Sequence, residues 1–135
     1  MTNTFRKLNY KGQKEICVVN SPAEFANEVE AMKHVATVKT EMKGCKDIEF
    51  ILAFVTTKKE IDKMAPLLDE KLKGDGVVWF AYPKGTSKKY KVEINRDNGW
   101  DSVRKIGLES VRAVAIDDDW SALPYRRLEF VKAKK

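Results

Sequence analysis

Residues 47 to 55 read DIEFILAFV, and after Asp47 only Glu49 interrupts the apolar side chains. A half-exposed strand would alternate apolar with polar residues, so this run fits a strand covered on both faces, as in a parallel sheet with helices above and below. It is too short to cross a membrane as a helix. The runs Ile16 to Val19 and Val77 to Tyr82 have the same character. Val35 to Val38 is a weaker strand candidate, and Val111 to Ile116 supplies a fifth.

Helical segments separate these strands. After the first, Ser21 reads as an N-cap, Pro22 as the first helical residue and Glu24 as the third member of a capping box, with Phe25, Val29 and Met32 facing inward. Thr57 and Glu60 repeat that spacing ahead of a stripe formed by Ile61, Met64, Leu68 and Leu72. Pro66 is expected to kink or divide this second helix, and Gly74 and Gly76 to make a tight exit from it. A short third helix carries Trp100 and Val103 inward and stops at Gly107. The alternation predicts a single-domain, three-layer open α/β sheet over residues 1–135. We expect it to be mostly parallel, with five to six strands in the order 2-1-3-4-5. Tyr125 to Val131 is the candidate for an antiparallel edge strand, and FRKLNYKG, before the first strand, receives no assignment.

Of the net charge of +6, the last segment, YRRLEFVKAKK, contributes five basic residues and one acidic residue. The rest holds 21 basic against 19 acidic residues, which makes the basicity a property of the tail. A short basic end of this kind solubilises more readily than it reads nucleic acid, so nucleic acid is not the expected partner. The opening MTNTFRKLNYKGQKE carries no apolar leader segment, and a cytoplasmic protein without a membrane association is expected. Cys17 and Cys45 form no CxxC and have no neighbouring histidine, which favours two reduced thiols and argues against zinc. His34, the sole histidine, reads as an ordinary surface or helix-end residue.

In open α/β sheets ligands bind beyond the carboxyl ends of the strands. Those ends carry Asn20 and Ser21, Thr56 and Thr57, the loop PKGTSKK, and DDDW. Lys84, Gly85, Thr86, Ser87 and Lys88, with Lys89 following, offer donors and a close backbone approach for an anion. Their spacing is not that of a P-loop, and a solvated surface loop is the plain alternative. Asp117, Asp118 and Asp119 could sit about a magnesium ion or cap a turn, and no metal is expected. Trp120 is suited either to stack on a planar ligand or to anchor its strand. The turn VVNSPAE lacks the glycines of a dinucleotide site, Pro22 removes an amide and Glu24 repels an anion, so no cofactor is expected.

The segments KGQKEICVVNSP, DIEFILAFVTTKKEI, GDGVVWFAYPKGTSK and VAIDDDWSAL resemble an uncharacterised family of small bacterial proteins, over Leu8 to Leu128. The resemblance implies a Rossmann-like core. The run from Asp47 to Pro83 is also similar to the later half of S-adenosylmethionine-dependent methyltransferases, although Asn20, Ser21 and Pro22 replace their glycine-rich turn. No catalytic residue is identified by motif. The expected function is a non-catalytic binding or regulatory module that holds a small anionic ligand or a protein partner at the sheet edge. The alternative is an enzyme that uses Lys84 with Asp117 or Asp118; a nucleic-acid-associated protein is a weaker one.

Overall fold

The computed structural model describes residues 3–8, 10–45, 47–84, 94, 99–110, 113–117 and 119–127. The described strands are β1 (Glu15–Val19), β2 (Thr37–Lys39), β3 (Ile48–Phe54), β4 (Leu72–Pro83), β5 (Leu108–Ser110), β6 (Val114–Ala115) and β7 (Trp120–Arg127). The α-helices are α1 (Asn3–Lys7), α2 (Ala26–Met32), α3 (Lys58–Lys71) and α4 (Asp101–Lys105). One sheet has the order β2-β1-β3-β4-β7-β5, with β6 also paired to β7. Neighbours from β2 to β4 are parallel, whereas β7 is antiparallel to β4, β5 and β6. The chain has a mixed α/β fold with a mostly parallel, Rossmann-like sheet.

The double-sided burial expected of β3 is present. Ile51 and Ala53 join one apolar cluster, while Phe50, Leu52 and Phe54 join another on the opposite face. Ile61, Met64 and Leu68 of α3 and Val103 of α4 close over the first. Phe5 of α1, Leu8, and Val29 and Met32 of α2 close over the second. The N-terminal segment that received no assignment is thus a lid on the sheet, and Trp79 Nε1 ties it down by donating to the Leu8 carbonyl at 2.7 Å.

Several local expectations change. The chain after β1 enters helix through a 3-10 turn, Ala23–Phe25, whose N-cap is Pro22, not Ser21, and which has no side-chain cap. Asn20 takes a left-handed backbone, φ 58°, and Pro22 is extended, so the helical conformation begins only at Ala23. Phe25, Val29 and Met32 are nevertheless buried as expected. Pro66 leaves α3 undivided: it lies within the helix and is exposed. Gly74 and Gly76 lie inside β4, where the pairing with β3 jumps from Ile48–Leu72 to Phe50–Val77. A Cβ on Gly76 would stand 2.7 Å from the Ile48 carbonyl oxygen, so this bulge requires glycine for its close approach.

The largest difference is at the far side of the sheet. The neighbour of β4 is β7, and the Val111 to Ile116 candidate contributes β6, which pairs antiparallel with β7. The antiparallel strand starts at Trp120, earlier than the expected Tyr125, and lies between β4 and β5 instead of at an edge. Pro124 argues against an interior strand in sequence. In the structure it faces Trp79 on one side and falls between the β5 and β6 pairings on the other, where no ladder partner is required. Among the described residues no helix is long and apolar enough to cross a membrane.

Tyr125 packs in this region against Phe80 and Trp100, with ring centroids 5.9 and 5.5 Å away. It is 2% exposed, and its hydroxyl has no hydrogen-bond partner among the described residues. Burial holds the phenol above its ordinary range. Because the folded value is raised, stability is fully present below the unfolded tyrosine value of about 10 and declines as pH rises past it. Tyr125→Phe should leave stability at pH 7 unchanged or raise it by up to about 1 kcal/mol, and should reduce the loss above pH 10. Urea denaturation across pH checks both; a loss of more than about 2 kcal/mol at pH 7 would show that the hydroxyl is bonded.

Candidate functional site

The order of strands reverses at β1, with β2 on one side and β3 on the other. The crevice beyond the carboxyl ends of β1 and β3 is therefore the switch point at which such sheets take ligands. Asn20 and Ser21 leave β1 there, exposed and half-buried respectively, and Thr56 and Thr57 leave β3, both half-buried. β4 ends beside them at Pro83 and delivers Lys84, also half-buried.

The end of β3 is closed by its own carboxylate. Glu60 Oε1 accepts from the Thr56 amide at 2.8 Å, the Thr56 hydroxyl at 3.0 Å and the Thr57 amide at 3.2 Å. Thr57 Oγ1 in turn accepts from the Glu60 amide at 3.2 Å and completes the capping box. A helix N-terminus of this kind attracts anions, but here an internal anion already satisfies these donors. The sequence signals the cap through Thr57 and Glu60. It does not reveal that Thr56 joins the same carboxylate, because that depends on how β3 ends.

The acidic segment is the turn of the β6–β7 hairpin. The amides of Ile116 and Asp117 donate to the Trp120 carbonyl at 3.0 and 3.3 Å. Asp117 Oδ1 accepts from the amides of Asp119 and Trp120, both at 2.8 Å. The Asp117 carboxylate thus organises the turn, the capping role set beside metal binding above. Trp120 is 3% exposed and meets Phe54 edge-on, with centroids 5.0 Å apart, so its ring anchors the turn in the core.

Lys84 and this turn meet. Pro83 pairs with Trp120, and the Lys84 amide donates to the Asp119 carbonyl at 2.8 Å. Of the candidate ligand-binding residues, the structure therefore brings Lys84, Asp117 and Trp120 to one end of the sheet. Gly85, Thr86, Ser87, Lys88, Lys89 and Asp118 lie outside the described residues, as does most of the basic tail. His34 is exposed just beyond α2. Among the described residues no three His, Cys, Asp or Glu side chains stand together as a metal site.

No family model and no curated protein matches the sequence. The fold is similar to solved S-adenosylmethionine-dependent methyltransferases. One, from Aquifex aeolicus, aligns with a TM-score of 0.58 at 13% identity, over 92% of this chain and 89% of that one. The N-methyltransferase NodS from Bradyrhizobium japonicum gives 0.58 at 10% identity, covering 92% of each chain. A fibrillarin pre-rRNA processing protein from Methanococcus jannaschii gives 0.53 at 10% identity, over 87% and 68%. The expectation of a non-catalytic binding or regulatory module is corrected by this finding, since the methyltransferases that share the sheet are enzymes. The enzyme alternative fits better.

The cofactor of those neighbours does not fit the residues after β1. Asn20 makes the left-handed turn with a full side chain in place of a glycine hydrogen, and Pro22 contributes no amide. The structured helix that follows begins with an uncapped 3-10 turn.

Two measurements check these assignments. Asp117→Ala should destabilise the chain by about 1 to 2 kcal/mol through loss of two turn hydrogen bonds, while Asp117→Asn, which keeps an acceptor oxygen, should cost less than half as much. Equal losses in chemical denaturation would refute the capping role. Titration calorimetry with S-adenosylmethionine should give a dissociation constant weaker than about 100 μM, a binding free energy under about 6 kcal/mol; a low-micromolar complex would show that Asn20 serves where glycine usually does.

Proposed function

We propose that the chain is an enzyme that works at the C-terminal end of β1, β3 and β4, on a small substrate with an anionic group, and that Lys84 is its principal cation. The observation that carries this reading is the 2.8 Å bond from the Lys84 amide to the Asp119 carbonyl, which fixes the lysine beside the acidic hairpin turn. The likeness of the sheet to methyltransferases supports catalysis at this end.

The roles follow from the chemistry of the groups. An ammonium held at a sheet edge binds an anionic substrate and stabilises negative charge that develops during reaction. A carboxylate nearby can accept a proton from the substrate. Asp117 already uses one oxygen to accept two turn amides, so Asp118 is the better choice for proton transfer. Gly85, Thr86, Ser87 and Lys88 extend the anion site in this reading. We take residues 1–135 as one domain with a basic tail, acting in the cytoplasm and grouped with the small bacterial proteins that its motifs resemble.

The test is turnover. Panels of phosphorylated and carboxylated metabolites incubated with the full chain, followed by proton and phosphorus NMR, should show conversion of at least one class. Lys84→Ala should lower its kcat/KM by roughly a hundredfold or more, with stability changed by less than about 0.5 kcal/mol. Turnover undiminished in Lys84→Ala would place the chemistry elsewhere. Conversion of no anionic compound by the native chain would reject the substrate class.

A further inference from the structure

The carboxylate at the head of α3 uses its two oxygens unequally. Glu60 Oε1 accepts from the Thr56 amide at 2.8 Å, the Thr56 hydroxyl at 3.0 Å and the Thr57 amide at 3.2 Å, with the Thr57 hydroxyl more distant at 3.5 Å. All four donors converge on that one oxygen, and Oε2 has no hydrogen-bond partner among the described residues. An ionised carboxylate has acceptor sites on both oxygens, and a reciprocal cap requires only one of them. The cap therefore pins the group at the end of β3 and leaves its second oxygen unused.

The charge is unused as well. Glu60 is half-buried, and among the described residues no Lys, Arg or His forms an ion pair with it. Its position is set relative to β4. The last registered pair between β3 and β4 is Phe54–Ala81, and the Val55 amide extends the contact by donating to the Ala81 carbonyl at 2.8 Å. Thr57 and Lys84 each follow that pair by three residues. Neighbouring strands lie about 4.8 Å apart, so the carboxylate held by Thr56 and Thr57 and the backbone of Lys84 leave the sheet within a distance on the order of 10 Å.

We propose that Glu60 is a substrate-binding residue whose Oε2 takes a primary ammonium group, so that the substrate is a small zwitterion with its anion on Lys84 and its ammonium on Glu60. The inference rests on the anion site at Lys84 proposed above and names the class of substrate for it. An ammonium supplies the charge that a partly desolvated carboxylate lacks, and it donates to a rigidly held acceptor. A second anion would be repelled at this position, and among the described residues no group of three acidic, His or Cys side chains is available to hold a metal there. The short span between the two strand ends selects a substrate whose charges are only a few bonds apart.

The experiment titrates the full chain at pH 7 with two probes that share an anion, 2-aminoethyl phosphate and ethyl phosphate, and follows binding by calorimetry. The native chain should bind 2-aminoethyl phosphate about tenfold or more tightly than ethyl phosphate, the effect of one charge-assisted hydrogen bond. Glu60→Gln keeps an acceptor oxygen for Thr56 and Thr57, and should bind both probes with the native affinity for ethyl phosphate. Lys84→Ala should weaken both probes by a similar factor. Equal affinities in the native chain overturn the proposal without recourse to a variant, as does a preference that persists in Glu60→Gln. Ethyl phosphate binding that is lost in Lys84→Ala, with no preference for the ammonium probe, would keep the anion site and reject Glu60. A preference lost in Glu60→Gln, with affinities unaltered by Lys84→Ala, would keep Glu60 and reject Lys84 as the cation. Binding of neither probe would overturn both.

Discussion

Burial of β3 on both faces is the condition from which the rest of the molecule follows. A strand that presents Phe50, Leu52 and Phe54 to one side and Ile51 and Ala53 to the other is stable only when both sides are kept from water. Helices α3 and α4 meet one requirement, and α1 and α2 the other. The short N-terminal helix belongs to this requirement as much as the longer ones: Phe5 lies 5.8 Å from Phe50 and 6.0 Å from Phe25, centroid to centroid. Once both faces are covered, polar groups from β1, β3 and β4 become available only where the strands end.

At those ends, internal carboxylates satisfy much of the backbone. Glu60 takes the donors after β3, and Asp117 takes those of the hairpin turn. Both give a rigid end to a strand, since amides left without partners at a buried edge would be costly. They also limit what an incoming anion can use. The lysine after β4 is positioned through its backbone amide, which donates to the Asp119 carbonyl.

The sequence made the first four strands and their parallel order legible because each is a compact apolar run between helical signals. The Thr57–Glu60 cap was equally legible, since its geometry is local. Ser21 misled because its spacing to Glu24 matches a cap, whereas the extended Pro22 delays the helix. β7 was misplaced for a different reason. WSALPYRR has mixed polarity and a proline, and nothing local distinguishes an outer strand from one inserted between β4 and β5. The meeting of Lys84 with the acidic turn was readable as a shared sheet end, although the turn proved to be a hairpin.

The place of β7 has a consequence for synthesis. β4 is made well before its outer neighbour, and in the finished sheet that neighbour is Trp120–Arg127. On an elongating chain, β4 therefore spends several seconds, at about 5 to 20 residues per second, with one row of backbone donors and acceptors open. A long apolar strand with an open edge is a template for a wrong partner. The bulge at Gly74 and Gly76 and the charged residues after Pro83 bracket β4 at both ends, so the stretch open to mispairing is confined to its middle.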